Sequence, residues 1–421
     1  MASDRPTGWI TSSGNRIVLS GSLELKNLRR FLAAIYDLVS NQSLRELVLD
    51  FRECTAVFTG PMLMICAQIL RHRRDDGVKF DLLLPSDATR AKLFKNANWA
   101  SLIDPENHQP TQFGISAHIP TIQFTDPIEQ NDAATKITDG ILRLLHGFSR
   151  TDFSAMHWVI NEIMDNVIRH SESPVGGLAS LTSIGRQNRI EYAIADAGIG
   201  IPRSMRESRS EIRSDRNALQ LAVREGETSD IRNGQGNGLH GSLEVSRVSS
   251  SYFHIHSGYA RLDLWSDAEQ PDAHEEAIPC NGTLVVGGID LSVPDILKRA
   301  LRFQDRPYEP VDAIELNYES GDAEEIELTV REEVLSFGSR QAAEPFRRKL
   351  ENLLAMAPGL RIRLNFSDVD IVSSSFADEV FGKLFVRIGA VGFANAIAIE
   401  GANADIRGLV DRAVSKRAAT G

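Results

Sequence analysis

The chain has 421 residues, more than one hydrophobic core usually supports, and this length predicts two to three domains. Hydrophobic residues make up 42% and charged residues 24%, which excludes an intrinsically disordered chain. The formal net charge of −11 argues against sequence-independent nucleic-acid binding, which needs a basic face.

The cysteines and the apolar segments indicate a cytoplasmic, soluble protein. Cys54, Cys66 and Cys280 match neither a zinc site nor a disulfide framework, so we expect reduced thiols. The first residues lack the apolar core of a secretory signal. No apolar run approaches the roughly 18 residues that cross a bilayer, and we expect no membrane partner.

The first hundred residues alternate strand and helix patterns and predict an α/β layer domain over 1–118. The segments in chain order are RIVLSG, LKNLRRFLAAIYDLV, LRELVLDF, PMLMICAQILRHRR and KFDLLLP. A proline-containing polar linker follows, and the middle domain is expected over 119–308.

The segment WVINEIMDNVIRH, residues 158–170, has helical apolar spacing. Glu162 and Asn166 are four residues apart and therefore share one face of this predicted helix. A carboxylate beside a carboxamide can orient a water molecule and hold Mg²⁺, which prefers oxygen ligands. An ordinary polar helix face is the alternative interpretation.

The segment RIEYAIADAGIGIP predicts a strand that ends in Asp196, followed by Gly198 and Gly200. An aspartate there can accept a hydrogen bond from an exocyclic amine, while glycines let a flat ring approach the backbone. A tight turn is the alternative. The dinucleotide fingerprint G-x-G-x-x-G fails because residue 203 is arginine, and the chain contains no P-loop.

The segment NGQGNGLHG runs into a predicted helix, LHGSLEVSR. Glycine-rich backbone at a helix N-terminus presents free N–H groups and predicts a phosphate site, with a flexible loop as the alternative. About thirty polar residues before it could form a lid. Two further segments, HIHSGYARLDLW and NGTLVVGGIDL, predict paired strands, and the acidic stretch DAEQPDAHEEAIPCN between them reads as an insertion.

The order of these motifs resembles the GHKL ATPase superfamily (the histidine kinase-like ATPase domain), which includes gyrase, heat-shock chaperones and anti-sigma factor kinases. The motifs are the helix E-x-x-D-N, the strand D-x-G-x-G, the lid, G-x-G-x-G-L-x-G and the strand G-T, over residues 150–290. The resemblance implies a Bergerat α/β sandwich that binds ATP and Mg²⁺.

The resemblance also implies residue roles. Glu162 falls on the general base, Asn166 on the Mg²⁺ ligand, and Asp196 on the residue that binds the adenine amino group. Gly198 and Gly200 shape the pocket, and Thr283 supports the aspartate. The phosphate loop is matched by Gly234, Gly236, Gly238, Leu239 and Gly241. The roles of Arg169, His170 and His240 stay open.

The two ends of the chain resemble each other. LRELVLDFRECTAVFTGPMLMICAQIL and GLRIRLNFSDVDIVSSSFADEVFGKLF align without a gap. The C-terminal segment resembles the STAS-like domain that often accompanies such ATPases, and the expected domain covers 309–421. The fold expectation is thus α/β and α+β, with a central Bergerat domain flanked by two small STAS-like α/β domains.

In STAS-domain antagonists of anti-sigma factors, a phosphorylatable serine begins the helix after this strand. Ser374 occupies that place, and Thr59 does so in the N-terminal copy, but the acidic residue that normally precedes the serine is absent from both. A helix N-cap at Ser373, Ser374 or Ser375, with Asp378 completing a capping box from Ser375, is the alternative.

Three functions follow from this domain set. The first is a slow ATPase that acts as a nucleotide-driven regulatory switch in bacterial signalling. The second is an anti-sigma-type serine/threonine kinase acting on a STAS domain in cis or in trans, and the third is a non-catalytic ATP-binding scaffold. The expected partner is a protein, such as a STAS or sigma-factor-like regulator, and the oligomeric state, including a homodimer, stays open.

Overall fold

A computed structural model describes part of the chain, residues 8–111, 118–184, 188–226, 237–303, 306–319 and 325–419. The described residues form two compact units. The first takes those within 1–112, 118–134 and 158–309, and the second those within 135–157 and 310–421. Gly234 and Gly236 lie outside the described residues.

The described elements alternate along most of the chain. The strands are β1 (Trp9–Ser13), β2 (Arg16–Leu23), β3 (Glu46–Asp50), β4 (Cys54–Val57), β5 (Lys79–Leu83), β6 (His118–Phe124), β7 (Gly177–Ile184), β8 (Arg189–Asp196), β9 (Phe253–Leu264), β10 (Asp272–Asp290), β11 (Arg302–Phe303), β12 (Arg306–Pro307), β13 (Glu325–Thr329), β14 (Arg361–Asn365) and β15 (Ile397–Glu400). The helices are α1 (Leu25–Tyr36), α2 (Thr59–Asp76), α3 (Ala88–Asn96), α4 (Trp99–Ile103), α5 (Pro127–Leu144), α6 (Arg150–His170), α7 (Ile201–Ser208), α8 (Asp215–Ala222), α9 (Gly238–Val248), α10 (Ile296–Ala300), α11 (Ala313–Tyr318), α12 (Val330–Glu333), α13 (Arg340–Met356), α14 (Ser374–Ala377), α15 (Lys383–Ala396) and α16 (Ala404–Ala418). Among the described residues, none of these helices combines the length and the apolar character needed to span a membrane.

Among the described residues, the first unit contains two five-stranded sheets and the small two-stranded sheet β11-β12. The N-terminal sheet has the order β1-β2-β3-β5, with β4 paired to β2, and its strands β2, β3 and β5 are parallel. The second sheet has the order β6-β7-β8-β10-β9, and all its neighbours are antiparallel. The pairing predicted for the two segments at β9 and β10 is therefore confirmed.

Helix α2 belongs to the N-terminal sheet layer and also packs on β7, β8 and β10 of the second sheet. Its residues from Thr59 to Ile69 are all buried, as expected for a helix that is apolar on every side. One hydrophobic core therefore joins residues of the N-terminal layer, such as Leu63, to Ala195 and Leu284 of the second sheet.

The acidic stretch before Gly282 is not an insertion, because β10 begins at Asp272 and pairs with β9 from its first residue. Its alternation is broken by register shifts between Glu275, Cys280 and Thr283. These irregularities hide the strand pattern from a reading of the sequence alone.

The second unit contains a parallel sheet in the order β13-β14-β15. This order repeats that of β2-β3-β5, and in both cases helices alternate with the strands. The gap-free alignment agrees in detail, because β3 and β14 end at Asp50 and Asn365 and the following helices begin at Thr59 and Ser374. The two ends of the chain thus share one strand–helix topology.

Candidate functional site

Helix α6 places Glu162 and Asn166 on one half-buried face. Burial raises the pKa of the Glu162 carboxyl, the nearby Asp165 adds to this shift, and Arg169 opposes it. A carboxyl group with a raised pKa is a stronger proton acceptor than an exposed one. Arg169 forms an ion pair with Asp165 at 2.7 Å, so its charge is directed along its own helix.

Helix α9 begins at Gly238, directly beside Glu162. A Cβ atom at position 238 would lie 2.6 Å from Glu162 Oε2, so a side chain there would displace the Glu162 carboxylate. The helix N-terminus carries a partial positive charge, which favours anions at this end. The structure therefore brings together the predicted base and the first helical residue of the glycine-rich motif.

The remaining described residues of that motif have packing roles. Gly241 is buried against the ring of Trp158, and any side chain there would collide with the ring. The Nδ1 atom of His240 lies 3.1 Å from the carbonyl oxygen of Val223, at the end of α8, and Leu239 is half-buried. The glycine at 241 thus has a structural reason that is independent of phosphate.

Asp196 is the last residue of β8 and is fully enclosed. Its carboxylate accepts a hydrogen bond from the backbone N–H of Gly198 at 2.8 Å and further hydrogen bonds from Thr283, which faces it on β10. Burial raises its pKa to about 7 against these hydrogen bonds, and no cation is among the groups that shift it. Among the residues that the structure describes, this buried acceptor has no charged partner.

Ser257 on β9 supports this arrangement and was missed by the sequence analysis. Its hydroxyl donates to the carbonyl oxygen of Gly282 at 2.8 Å, accepts from the backbone N–H of Ile201 at 3.0 Å, and lies 3.2 Å from Thr283 Oγ1. Gly200 has a φ of +78°, and a Cβ there would lie 2.7 Å from the Ser257 oxygen. A lone serine within a strand carries no signal that would have revealed it.

The end of α6 is joined to the turn after β8. The backbone N–H of Ile199 donates to the carbonyl oxygen of Ser171 at 2.7 Å, and Gly198 packs against the same carbonyl so closely that a side chain would collide with it. Along the helix axis, Glu162 lies about 13 Å from Ser171. Glu162 and the turn that follows Asp196 therefore lie about 13 Å apart along this part of α6.

The two candidate phosphoacceptors lie in different environments. Thr59 is buried, and its hydroxyl lies 3.0 Å from that of Thr182 on β7. Ser374 is exposed at the first residue of α14.

Ser373 is the N-cap of α14, because its Oγ accepts a hydrogen bond from the backbone N–H of Phe376. The capping box predicted with Asp378 is absent. The Asp378 carboxylate instead pairs with Arg417 at 2.8 Å and with Arg340 at 2.9 Å.

Metal ligation by the protein alone has no support in the part of the chain that the structure describes. No group of three or more His, Cys, Asp or Glu side chains there could hold a metal ion. An ion at Asn166 would need further oxygen ligands from water or phosphate, which is the ordinary situation of Mg²⁺.

Comparison with a family model identifies the C-terminal region. A family model described as a STAS-like domain of unknown function matches residues 342–407, from α13 to the beginning of α16. The mixed α/β chain therefore carries a STAS-like domain at its C-terminus. No curated protein gives a significant match to the chain.

Proposed function

We propose that the first unit binds ATP with Mg²⁺ and hydrolyses it slowly, and that the chain acts as a nucleotide-driven regulatory switch. The observation that carries this proposal is the enclosed carboxylate of Asp196, which Gly198 and Thr283 hold without a cation among the described residues. Its pKa stays raised despite these hydrogen bonds, so its charge is incompletely compensated, and the exocyclic amine of adenine can act as a further donor.

At the other end of the proposed site, Glu162 is the group that would accept a proton. Its raised pKa and half-buried position suit it to take a proton from a water molecule that attacks a phosphoryl group. Asn166, one turn further along α6, offers an oxygen ligand on the same face. Mg²⁺, when bound with ATP, neutralises charge on the phosphate oxygens.

The N-terminus of α9 would receive the phosphates. Gly238 lies against Glu162, so backbone N–H groups and the proton acceptor face the same space. Leu239 and Gly241 belong to the same first turn, and the packing of Gly241 on Trp158 fixes the position of that turn relative to α6.

A serine/threonine kinase is the alternative function, and one observation favours it. Because Ser373 takes the cap of α14, the exposed Ser374 hydroxyl is left available for phosphorylation. Thr59 is a poorer acceptor in this conformation since it is buried. A scaffold that binds ATP without catalysis is the third function, and it would retain Asp196 without any need for Glu162.

The experiment that separates these functions incubates the full chain with Mg²⁺ and γ-labelled ATP and measures free phosphate and labelled protein. We expect the wild type to release free phosphate, and we expect Glu162→Gln to lower the rate of this release by about 100-fold or more. Glu207→Gln, the same change at an exposed carboxylate of α7 that pairs with Arg203, is the matched control and should keep activity.

Each other outcome selects a different function. Label on the chain that is lost in Ser374→Ala, or in Thr59→Ala, would support the kinase. ATP binding that is weakened by Asp196→Asn, with neither product formed, would support the scaffold. Absence of any ATP binding by the wild type would reject the whole proposal.

A further inference from the structure

Arg29, on helix α1 of the N-terminal layer, is inserted into the irregular part of the second sheet. It is buried, and its guanidinium donates three hydrogen bonds of 2.6 to 2.7 Å. The acceptors are the backbone carbonyl oxygens of Gly258, Ala260 and Ile278. One side chain of the N-terminal layer thus holds two strands of the candidate site.

The irregularity of β10 explains why a guanidinium is needed there. The register of β9 and β10 shifts between Glu275 and Cys280, so the regular ladder is interrupted near Ile278. Carbonyl groups left out of a ladder in a buried place need another donor. The planar, permanently charged fork of Arg29 supplies several donors at once.

Two side chains of α2 reach the same end of the site. Gln68 is buried and donates to the carbonyl oxygen of Asn281 at 2.7 Å, and Arg71 donates to that of Ala197 at 3.3 Å. These carbonyls are close in sequence to the residues that form the acceptor. Ala197 follows Asp196, and Asn281 comes two residues before Thr283.

We propose that the N-terminal layer positions the base-binding end of the nucleotide site, with Arg29 as the principal positioning residue. This inference rests on the nucleotide site proposed above. Arg29 holds β9 directly after Ser257, Gln68 holds β10 beside Gly282, and Arg71 holds the turn after Asp196. The N-terminal domain is then part of the site rather than a separate module attached to it.

The inference makes base recognition, and not only stability, depend on Arg29. Acceptor geometry at Asp196 and Thr283 decides between a base that presents an amine and one that presents a carbonyl at the same place. A shift of β9 relative to β10 would move Ser257 away from Thr283 and blur this distinction. Phosphate contacts at α9 involve other elements and would be shared by both nucleotides.

The test compares Arg29→Met with Arg30→Met in the full chain by titration calorimetry with ADP and with GDP in the presence of Mg²⁺. Arg30 is adjacent on α1 but exposed, so its substitution is the matched control. We expect Arg29→Met to weaken ADP binding about tenfold and to reduce the preference for ADP over GDP. The ADP affinity of Arg30→Met should stay within about twofold of the wild-type value. The affinity of Arg29→Lys, which keeps one donor group, should lie between those of the two methionine variants.

The outcomes separate this inference from the proposed function. If the wild type binds neither nucleotide, the nucleotide site itself is wrong and the inference falls with it. If the wild type binds ADP and a folded Arg29→Met variant binds it equally well, or loses ADP and GDP affinity in equal measure, only the positioning role is overturned. Should Arg29→Met not fold, Gln68→Met decides in the same assay, and unchanged ADP affinity and selectivity there overturn the role.

Discussion

At the scale of single residues, Asp196 combines a role in the proposed nucleotide site with a cost to the stability of the fold. The carboxyl group is enclosed at the end of β8, and its pKa rises to about 7 from 3.8 because burial disfavours the charged form. The hydrogen bonds from Gly198 and Thr283 reduce this cost without removing it. Near neutral pH the folded chain therefore carries a penalty that the unfolded chain does not.

The first prediction concerns stability against pH for Asp196→Asn. The folded-state pKa lies above the unfolded value, so the wild type loses stability as pH rises from about 4 through about 7. Asparagine does not titrate, so the free energy of unfolding of the variant should rise relative to that of the wild type by at least about 1 kcal/mol across that window. Urea unfolding at about pH 4.5, near the lower end of this window, and at about pH 8, about one unit above its upper end, measures the difference in the free energy of unfolding. If the free energies of unfolding of the wild type and of Asp196→Asn changed in parallel with pH, the burial assigned to the Asp196 carboxyl would be contradicted.

The second prediction concerns ADP binding by the same pair of proteins. A ligand amine donates best to an ionised carboxylate, so affinity in the wild type should increase as pH rises through about 7. Asp196→Asn should bind more weakly and show no such increase. Titration calorimetry between pH 6 and pH 8, a window about one unit either side of the Asp196 pKa, measures both curves, and a flat wild-type curve would exclude this role.

At the scale of elements, the contact between α6 and α9 depends on a missing side chain. Gly241 packs on the Trp158 ring with no room for a methyl group. Trp158 in turn contacts Phe303 and Tyr308, with ring centroids 6.3 Å and 5.9 Å away, so it has little freedom to move. The position of the proposed phosphate-binding turn is set by this packing.

The third prediction is that Gly241→Ala destabilises the chain by about 1–3 kcal/mol through overpacking. Gly408, in the middle of α16, is the matched control because no atom lies closer than 3.9 Å to the place its Cβ would take. Gly408→Ala should instead stabilise by about 0.5–1 kcal/mol through helix propensity. Denaturant unfolding of both variants tests the sign of the change in the free energy of unfolding. Equal changes in the two variants would show that the Trp158 ring can move aside.

Several elements could be predicted from the sequence, and the physical reason is local periodicity. The strands around Asp50 and Asp196 and the helices that carry Glu162 and Gly241 follow from apolar spacing. The first residues of β10 could not be predicted, because bulges break the alternation and charged residues such as Glu276 pair with Arg261 across the strands. The N-cap at Ser373 was one of three adjacent serines, and only the backbone geometry selects among them.

At the scale of the whole molecule, the second unit is not continuous in sequence. It includes residues 135–157 besides 310–421. Within it, Lys349 on α13 is buried and lies 2.5 Å from Asp139 of α5 and 2.9 Å from Glu333. Asn352 donates to the carbonyl oxygens of Leu142 and Leu145 at 2.8 and 2.7 Å. Residues from α5 therefore complete the interior of the STAS-like region.

The fourth prediction follows from this interior. A fragment of residues 309–421 should not unfold cooperatively by itself, because Lys349 loses Asp139 while keeping Glu333, and Asn352 loses both of its carbonyl acceptors. A buried donor left without its acceptor costs about 1–3 kcal/mol. Addition of a peptide of residues 127–157 should restore cooperative melting followed by circular dichroism. The same peptide with Asp139→Leu is the control and should restore less. A fragment that melts cooperatively without the peptide would show that α5 is dispensable.

The sequence by itself determined the alternation of strands and helices, the STAS-like C-terminal region, and the residues proposed for the site, among them Glu162 and Asp196. The alternation depends on neighbours a few positions apart, and short-range spacing records it directly. The STAS-like region and the site residues were indicated by motifs that resemble known families. Only the tertiary structure decided that Ser257 supports Thr283, that Arg29 and Gln68 reach the site from the N-terminal layer, and that Asp139 belongs with Lys349. Each of these contacts satisfies a buried polar group across a long sequence separation, and no local pattern encodes which distant partner will meet it.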